Sequence, residues 1–292
     1  MKNFFFLIVA LLLISGCQQK VTERATSTPE HWENIPQALR AGLEAHGGLE
    51  KWASMQTLEF AFPKGETKEF QQVDLPSRKV RITHDDYTIG FDGQEVWVAP
   101  GKEAFPQMPP RFYHNLIFYF YAIPYVLADP GINYTVLPDR RINGKDLSAI
   151  KISYNEGVGD APDDYYIAHF DKSTNELYLL LYTVTYFSGS TNENFSALVY
   201  DEWMEVNGLK LPKVMKGYRY AADTLGTERY TRIFDEVKIT EEALDPSLFE
   251  IPEIAEIDPL TQPEPSHECK TLGVEHAEIT HFQLRYHQKR HE

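Results

Sequence analysis

Residues 88–98 read Thr88-Ile89-Gly90-Phe91-Asp92-Gly93-Gln94-Glu95-Val96-Trp97-Val98, two apolar runs separated by a turn signal. An Asp-Gly pair between β-branched and aromatic residues predicts a two-residue hairpin turn at 92–93. Asn207-Gly208 repeats this signal between the run that contains Trp203 and the run that contains Leu211. Both turns predict antiparallel pairing between runs that are neighbours in the chain.

Further runs with strand character extend in both directions from this hairpin. They cover residues 57–62, 66–74, 78–84, 134–142, 147–154, 164–170, 176–187, 195–205, 209–220 and 227–239. Few helical patterns lie between them, which argues against βαβ units. The sequence therefore predicts a mainly β (α+β) protein built on a curved antiparallel sheet or barrel of eleven or twelve strands.

Two regions of the chain have helical character instead. The first begins at Asn34, a favourable N-cap, ends at Gly47-Gly48, and is followed by a short piece containing Trp52. The second, residues 111–128 (RFYHNLIFYFYAIPYVLA), is apolar nearly all round and includes Pro124, where we expect a kink. A helix that is apolar on every side is buried on every side, either inside a curved sheet or against lipid.

The first seventeen residues have the pattern of an export signal. A basic start is followed by eleven apolar residues and by Ile14-Ser15-Gly16-Cys17, which matches a lipobox. Eleven apolar residues are too few to span a bilayer, which takes about 20. We predict a signal peptide at 1–16, lipid attachment at Cys17, a flexible tether at 17–31, a folded domain at 32–254 and a weakly ordered polar tail at 255–292.

Composition excludes one class of partner and limits disulfides. The net charge is −15 at pH 7, with 43 acidic and 28 basic residues and no basic stripe, so a nucleic acid partner is not expected. The chain has two cysteines, and once Cys17 carries lipid only Cys269 remains. An intramolecular disulfide is then excluded. Aromatic residues make up 13% of the chain, which favours a broad sheet with an aromatic face.

No recognised catalytic or cofactor motif occurs in the sequence. We find no nucleophile elbow, Walker loop, dinucleotide fingerprint or zincin helix. The doublets Asp85-Asp86 and Asp163-Asp164 are more typical of solvated turns than of a catalytic pair. Five histidines and Cys269 in the tail are spread too widely for a closed zinc site. We therefore expect neither a metal nor a cofactor, and the protein is more easily interpreted as a non-enzyme.

The polar residues within 111–128 form the first part of a candidate ligand site. Arg111 and His114 are three residues apart and so share one helix face. If that face lines a cavity, they would orient an anionic or carbonyl head group. The simpler alternative pairs Arg111 with a carboxylate and makes His114 a satisfied core histidine.

The other candidate ligand-binding residues are aromatic or adjoin the first helix. They are Tyr119, Tyr121, Trp52 and His46, the last of which is otherwise a partner for the helix C-terminal dipole.

Four motifs give the chain a resemblance to known proteins. They are Ala45-His46-Gly47-Gly48-Leu49-Glu50-Lys51-Trp52, Arg111-Phe112-Tyr113-His114-Asn115, Lys151-Ile152-Ser153-Tyr154 with Gly157-Val158-Gly159, and Trp203-Met204-Glu205-Val206-Asn207-Gly208-Leu209-Lys210-Leu211-Pro212. Over residues 34–252 the chain resembles an uncharacterised group of Bacteroidota envelope lipoproteins. More remotely, it is similar to the lipoprotein-carrier superfamily of the LolA and LolB type.

The remote resemblance implies an unclosed half-barrel of about eleven strands whose concave face holds acyl chains under helices. Residues 111–128 would then be one of the covering helices. This chain is longer than those carriers and lacks their lipid-handling residues, so acyl transfer is an analogy.

Three hypotheses for the function follow. The leading one is a monomeric, membrane-anchored envelope lipoprotein that binds or carries an apolar, lipid-like ligand. The alternatives are an envelope scaffold whose core is filled by its own helix, and a hydrolase-type enzyme that uses His114 and Arg111. Gln18 follows the lipidated cysteine in place of the aspartate that retains some lipoproteins at the inner membrane, which favours the outer membrane facing the periplasm.

Overall fold

The computed structural model describes residues 29–155, 164–184 and 195–259. These residues contain fourteen strands: β1 Thr57–Lys64, β2 Thr67–Asp74, β3 Val80–Thr83, β4 Thr88–Phe91, β5 Val96–Ala99, β6 Ile132–Ile142, β7 Lys145–Tyr154, β8 Tyr166–Asp171, β9 Leu177–Tyr182, β10 Ser196–Val206, β11 Leu209–Ala221, β12 Thr224–Ile233, β13 Asp235–Thr240 and β14 Glu256–Asp258. The helices are α1 Gln37–Ala45, α2 Leu49–Ser54, α3 Pro110–Tyr113 and α4 Leu116–Ala122, with 3-10 turns at Glu30–Asn34, Lys102–Ala104, Tyr125–Ala128 and Pro246–Phe249.

The strands form two antiparallel, unclosed sheets of seven strands each. The first sheet has the order β13-β1-β2-β3-β4-β5-β14 and the second the order β12-β11-β10-β9-β8-β7-β6. The mainly β, unclosed antiparallel class that we predicted is therefore confirmed. The number of sheets differs from the prediction. The chain forms two sheets, whereas the sequence predicted one curved sheet of about eleven strands.

The two hairpin signals have different outcomes in detail. Val206 pairs with Leu209, and the two residues between them, Asn207 and Gly208, have φ of 50° and 78°. Positive φ at both positions is the requirement of the type I′ turn that an Asn-Gly pair favours. This turn is confirmed as predicted.

The turn in residues 88–98 is shifted by one residue from the predicted position. Phe91 pairs with Val96, and the N–H of Asp92 donates to the carbonyl of Glu95 at 3.2 Å. The Asp92 carboxylate accepts from the N–H groups of Gln94 and Glu95 at 2.8 and 2.7 Å. Asp92 thus caps the turn from its first position, and the central residues are Gly93 and Gln94 instead of Asp92 and Gly93.

The apolar segment 111–128 is three short helices instead of one kinked helix. The first break follows α3 at His114 and Asn115, and Asn115 is exposed. The second is at Ile123, whose extended backbone (ψ 134°) ends α4 because a residue before proline is excluded from helical geometry. The chain then makes one 3-10 turn, Tyr125–Ala128. We call α3, α4 and this turn the central segment.

The first helix starts later than predicted and packs on the second sheet. Asn34 closes a 3-10 turn, so α1 begins at Gln37 after Pro36. Leu39 and Leu43 are buried, and a Cβ placed on Gly42 would lie 2.4 Å from the ring of Phe170 in β8. Only a glycine permits this close approach, which confirms that the helix packs on an apolar surface.

A single core cluster joins the central segment to both sheets. The ring of Tyr121 stacks on that of Phe60 in β1 at 4.2 Å, and the hydroxyl of Tyr200 in β10 donates to the carbonyl of Phe120 at 2.7 Å. Val126 and Leu127 are fully buried in the same cluster. The central segment therefore lies between the two sheets, the position expected for an element that is apolar on every side.

The folded part extends slightly beyond both predicted boundaries. Glu30 and His31, which we assigned to the tether, belong to the 3-10 turn Glu30–Asn34. At the other end, β14 pairs with β5 and lies beyond the expected boundary at residue 254. Within the described ranges no helix is long and apolar enough to cross a membrane. The predicted signal peptide 1–16 and Cys17 lie outside the described residues, as do positions 260–292 of the predicted tail.

Candidate ligand cavity beside the central segment

A cavity of about 310 Å³ lies where α3 and α4 meet the second sheet. From the central segment it receives Arg111, His114, Leu116, Tyr119 and Phe120. From the ends of four neighbouring strands, β6 to β9, it receives Ile132, Tyr154, Tyr166 and Tyr182. Its size is at the lower end of the range of about 300–1,000 Å³ that is typical of small-molecule sites.

Phenylalanine and tyrosine rings are the largest group of side chains in the wall. Tyr166 and Tyr182 are direct cross-strand partners in β8 and β9. The Tyr166 ring lies 5.7 Å from that of Tyr119 and 5.9 Å from that of Tyr154, and the Phe120 ring lies 4.7 Å from that of Tyr182. These separations and tilted geometries are those that the ring quadrupoles favour. The rings support one another, so the wall is built before any ligand enters.

Two phenol groups meet within this wall. The hydroxyls of Tyr119 in α4 and Tyr154 in β7 form a hydrogen bond with each other. Burial raises the pKa of each phenol far above its ordinary value and is the largest cause of the shift. Both groups therefore keep their protons at any physiological pH and can act only as neutral donors or acceptors.

An ion pair holds the end of the central segment beside the cavity. Asp129 lines the cavity directly after the 3-10 turn, and its two carboxylate oxygens accept from Nη2 of Arg78 at 2.7 and 2.8 Å. The guanidinium also lies over the ring of Phe118, with 5.4 Å between its carbon and the ring centroid. Burial raises the pKa of Asp129, while the attraction of Arg78 opposes that rise. The pair thus ties the loop between β2 and β3 to the central segment.

Arg111 and His114 lie at the α3 side of the cavity. The backbone N–H of Arg111 donates to Asp258 Oδ2 in β14 at 2.8 Å, which attaches α3 to the edge of the first sheet. The Nδ1 of His114 donates to the carbonyl of Arg111, and its ring lies 5.1 Å from that of Phe91. His114 is mostly buried. The cavity thus receives three of the six predicted residues, Arg111, His114 and Tyr119.

The structure places Tyr121 and Trp52 in the core, away from the cavity. Tyr121 follows Tyr119 by two residues, which turns it to the opposite side of α4, where it lies between Phe60 and Phe234. The Trp52 ring stacks on that of Tyr125, with centroids 4.5 Å apart.

His46 also packs in the core, at the end of α1. Its Nδ1 donates to the carbonyl of Gly42 at 2.7 Å, and its ring meets that of Trp203 edge-on at 4.4 Å. Burial lowers the pKa of His46 to about 4, so its imidazole is neutral near pH 7. A neutral imidazole carries no charge to offset the helix dipole, and its contact with α1 is the donation to the Gly42 carbonyl in the last turn.

Sequence reasoning missed the tyrosines that the second sheet supplies. Tyr154, Tyr166 and Tyr182 all occur at strand ends. Tyr154 ends the motif Lys151-Ile152-Ser153-Tyr154, to which we assigned no ligand role, and Tyr166 and Tyr182 belong to no motif. Only the pairing register places them together, with Tyr166 opposite Ile152 on one side and opposite Tyr182 on the other. The one available signal was the high tyrosine count, 17 in the chain, which does not single out positions.

A second buried polar group anchors α3 from the other side. The carboxylate of Glu69 in β2 is fully buried and accepts from Lys64 Nζ at 2.6 Å, from the Tyr87 hydroxyl at 2.6 Å and from the Tyr113 hydroxyl at 2.9 Å. Gln71 adds an amide donor at 2.8 Å. Burial alone would raise the pKa of Glu69, but Lys64 and these hydrogen bonds lower it. Since Tyr113 ends α3, this network holds the residue directly before His114.

No set of three or more His, Cys, Asp or Glu side chains within the described ranges could hold a metal ion. Asp85 and Asp86 lie in the loop between β3 and β4, where the N–H of Asp86 donates to His84 Nδ1 at 3.3 Å. Asp163, Cys269 and the tail histidines lie outside the described residues.

No protein-family model matches the sequence, and no curated protein matches it either. Several solved structures align with this chain. A DUF1329-family protein from Desulfovibrio piger aligns with a TM-score of 0.45 and 10% identity, over 74% of this chain and 98% of its own. A LolA-superfamily protein from Nitrosomonas europaea aligns with a TM-score of 0.41 and 8% identity, over 67% of this chain and 88% of its own.

A Vibrio parahaemolyticus domain named for outer membrane lipoprotein sorting aligns with a TM-score of 0.37 and 10% identity, over 72% of this chain and 97% of its own. Scores below 0.5 support no conclusion about what this protein binds.

Proposed function

We propose that this protein is a lipid-anchored envelope lipoprotein that binds an apolar, lipid-like ligand in the cavity beside the central segment. The observation that carries the proposal is the cavity itself, about 310 Å³ with a preformed wall of mutually packed aromatic rings. An apolar ligand gains about 2.5 kcal/mol for each 100 Å² of its surface removed from water, before the cost of association.

Two features of the cavity favour a ligand with an apolar body and a small polar group. The tyrosine hydroxyls and the residues at the α3 side supply a few polar contacts in an otherwise aromatic wall. This is the usual composition of a small-molecule site, in which polar groups set orientation and apolar area sets affinity.

The anchor and the location follow from the export signal. Ile14-Ser15-Gly16-Cys17 supports lipidation at Cys17, and Gln18 after it supports the outer membrane, with the folded domain in the periplasm. We propose a monomer, which the lipid tether would keep at the membrane surface.

The cavity speaks against the two alternatives. A scaffold filled by its own helix would leave no space beside the central segment, yet the space is there. For a hydrolase, none of the described residues around the cavity is a serine or a cysteine, and the hydroxyl of Thr183 donates to Asp164 Oδ1 at 3.4 Å.

The test uses the full chain with Cys17→Ser, purified gently from its own envelope. Native mass spectrometry followed by lipid extraction should show a bound apolar molecule. After its removal, a fluorescent apolar probe such as 1-anilinonaphthalene-8-sulfonate should bind. Ile132→Trp places a large ring in the cavity and should abolish probe binding.

The matched control is Val136→Trp, four residues along the same strand at a position that is 69% exposed. It should leave probe binding unchanged. An empty protein that binds no apolar probe would refute the proposal, as would equal binding by the two tryptophan variants.

A further inference from the structure

We infer that the cavity selects a planar, unsaturated ring system that carries a carbonyl acceptor, such as a quinone, over a saturated acyl chain. This inference rests on the proposed function, since it names the ligand class of the same site. Three properties of the cavity support the inference: the chemistry of its wall, its size and a hydrogen-bond donor that is available to a ligand.

The wall presents flat faces where an acyl site needs flexible aliphatic ones. Seven of the described lining residues are phenylalanine or tyrosine, whereas three are leucine, isoleucine or valine. Rings stack on other rings at separations of about 4.5–7 Å, and such pairs gain free energy beyond their buried area. A saturated chain would gain the free energy of burial but not the additional free energy of ring stacking.

The size of the cavity suits a compact ring system. An apolar cavity of about 150 Å³ accepts one benzene. The volume here, about 310 Å³, is twice that. It therefore corresponds to two fused rings with small substituents and is far too small to enclose the two long chains of a phospholipid.

The phenol pair supplies the polar contact. In the hydrogen bond between Tyr119 and Tyr154, one hydroxyl donates to the other. The proton of the accepting hydroxyl is therefore available for a further hydrogen bond. Among the described residues neither hydroxyl has another hydrogen-bond partner. Both side chains line the cavity. A ligand carbonyl beside the pair would accept that proton, whereas a hydrocarbon would leave it without a partner.

The experiment measures the affinities of three probes for the delipidated full chain with Cys17→Ser. The probes are 1,4-naphthoquinone, naphthalene and dodecanoic acid, and isothermal titration calorimetry reports each affinity. The quinone should bind about tenfold more tightly than naphthalene, the factor expected for one buried hydrogen bond, and more tightly than dodecanoic acid.

Removal of both phenol oxygens tests the donor, because either hydroxyl alone would keep a proton that a ligand could accept. The double variant Tyr119→Phe/Tyr154→Phe keeps both rings and should weaken quinone binding about tenfold while leaving naphthalene binding unchanged. Tyr218→Phe is the matched control, because that hydroxyl donates to Glu228 at an exposed position away from the cavity. It should change neither affinity.

The outcomes separate this inference from the proposed function. Binding of dodecanoic acid as tight as that of the quinone, or an equal effect of Tyr119→Phe/Tyr154→Phe on quinone and naphthalene, would overturn the inference and leave apolar binding standing. Failure of all three probes to bind would overturn both.

Discussion

Replacing Tyr121 with phenylalanine should stabilise the protein. Tyr121 is completely buried, and within the described part of the chain its hydroxyl has no hydrogen-bond partner. A buried polar group without a partner costs about 1–3 kcal/mol. The ring stacks on Phe60 at 4.2 Å and tilts against Phe234 at 4.5 Å, and a phenylalanine keeps both contacts. The substitution therefore removes the penalty and retains the packing.

The expected gain in the free energy of unfolding is at least about 1 kcal/mol. For a domain of this size that corresponds to a rise in Tm of about 2–4 °C. Tyr125 offers a matched control four residues along the central segment. Its hydroxyl donates to the carbonyls of His46 and Lys210, so Tyr125→Phe should lower stability by about 1 kcal/mol.

Equilibrium urea unfolding of the Cys17→Ser chain, followed by tryptophan fluorescence, measures both changes. The midpoint should move in opposite directions for the two variants, while the slope against urea concentration stays the same. A loss of stability in Tyr121→Phe equal to that in Tyr125→Phe would refute the reasoning. It would show that the Tyr121 hydroxyl is hydrogen-bonded in solution.

Two further predictions concern buried ionisable groups. The folded chain holds the pKa of His46 at about 4, against an ordinary value of 6.5, so below pH 6.5 the unfolded chain binds a proton that the folded chain does not. His46 alone should therefore lower stability by up to about 3 kcal/mol as pH decreases from 6.5 to 4. Burial lowers the pKa of His169 to about 4 as well and adds a fall of the same sign, so urea titrations over this range should show a smaller fall for His46→Gln, not its disappearance. Glu69→Gln leaves the partly buried Lys64 ammonium without its counter-charge and should cost about 3 kcal/mol, while Glu202→Gln, in an exposed pair with Lys213, should cost less than about 1 kcal/mol. Equal midpoints for the two glutamine variants in thermal unfolding would contradict the buried ion pair.

Local patterns were sufficient for the fold class and for several elements. The Asn207-Gly208 turn follows from the positive φ that two residues must adopt, a property of the dipeptide itself. The burial of residues 111–128 follows from their lack of a polar face. In the hairpin at residues 88–98, the turn lies one residue later than predicted. The side chain of Asp92 causes this shift, since it accepts from N–H groups that the dipeptide rule does not consider.

The candidate site could be predicted only from its helical side. Arg111, His114 and Tyr119 belong to one short stretch, and helical spacing relates them. The same rule shows why Tyr121, two residues beyond Tyr119, faces the core instead. The tyrosines of β7, β8 and β9 could not be found this way, because strand register relates residues that are far apart in the chain.

The sequence by itself determined the strand-rich antiparallel class and the burial of the central segment. Each depends on residues close together in the chain, where turn geometry, periodicity and local composition act directly. Only the tertiary structure decided the division into two sheets, the three-helix form of the central segment between them and the aromatic cavity. These depend on the pairing of distant strands such as β1 with β13, which satisfies backbone hydrogen bonds over a separation that no local pattern encodes.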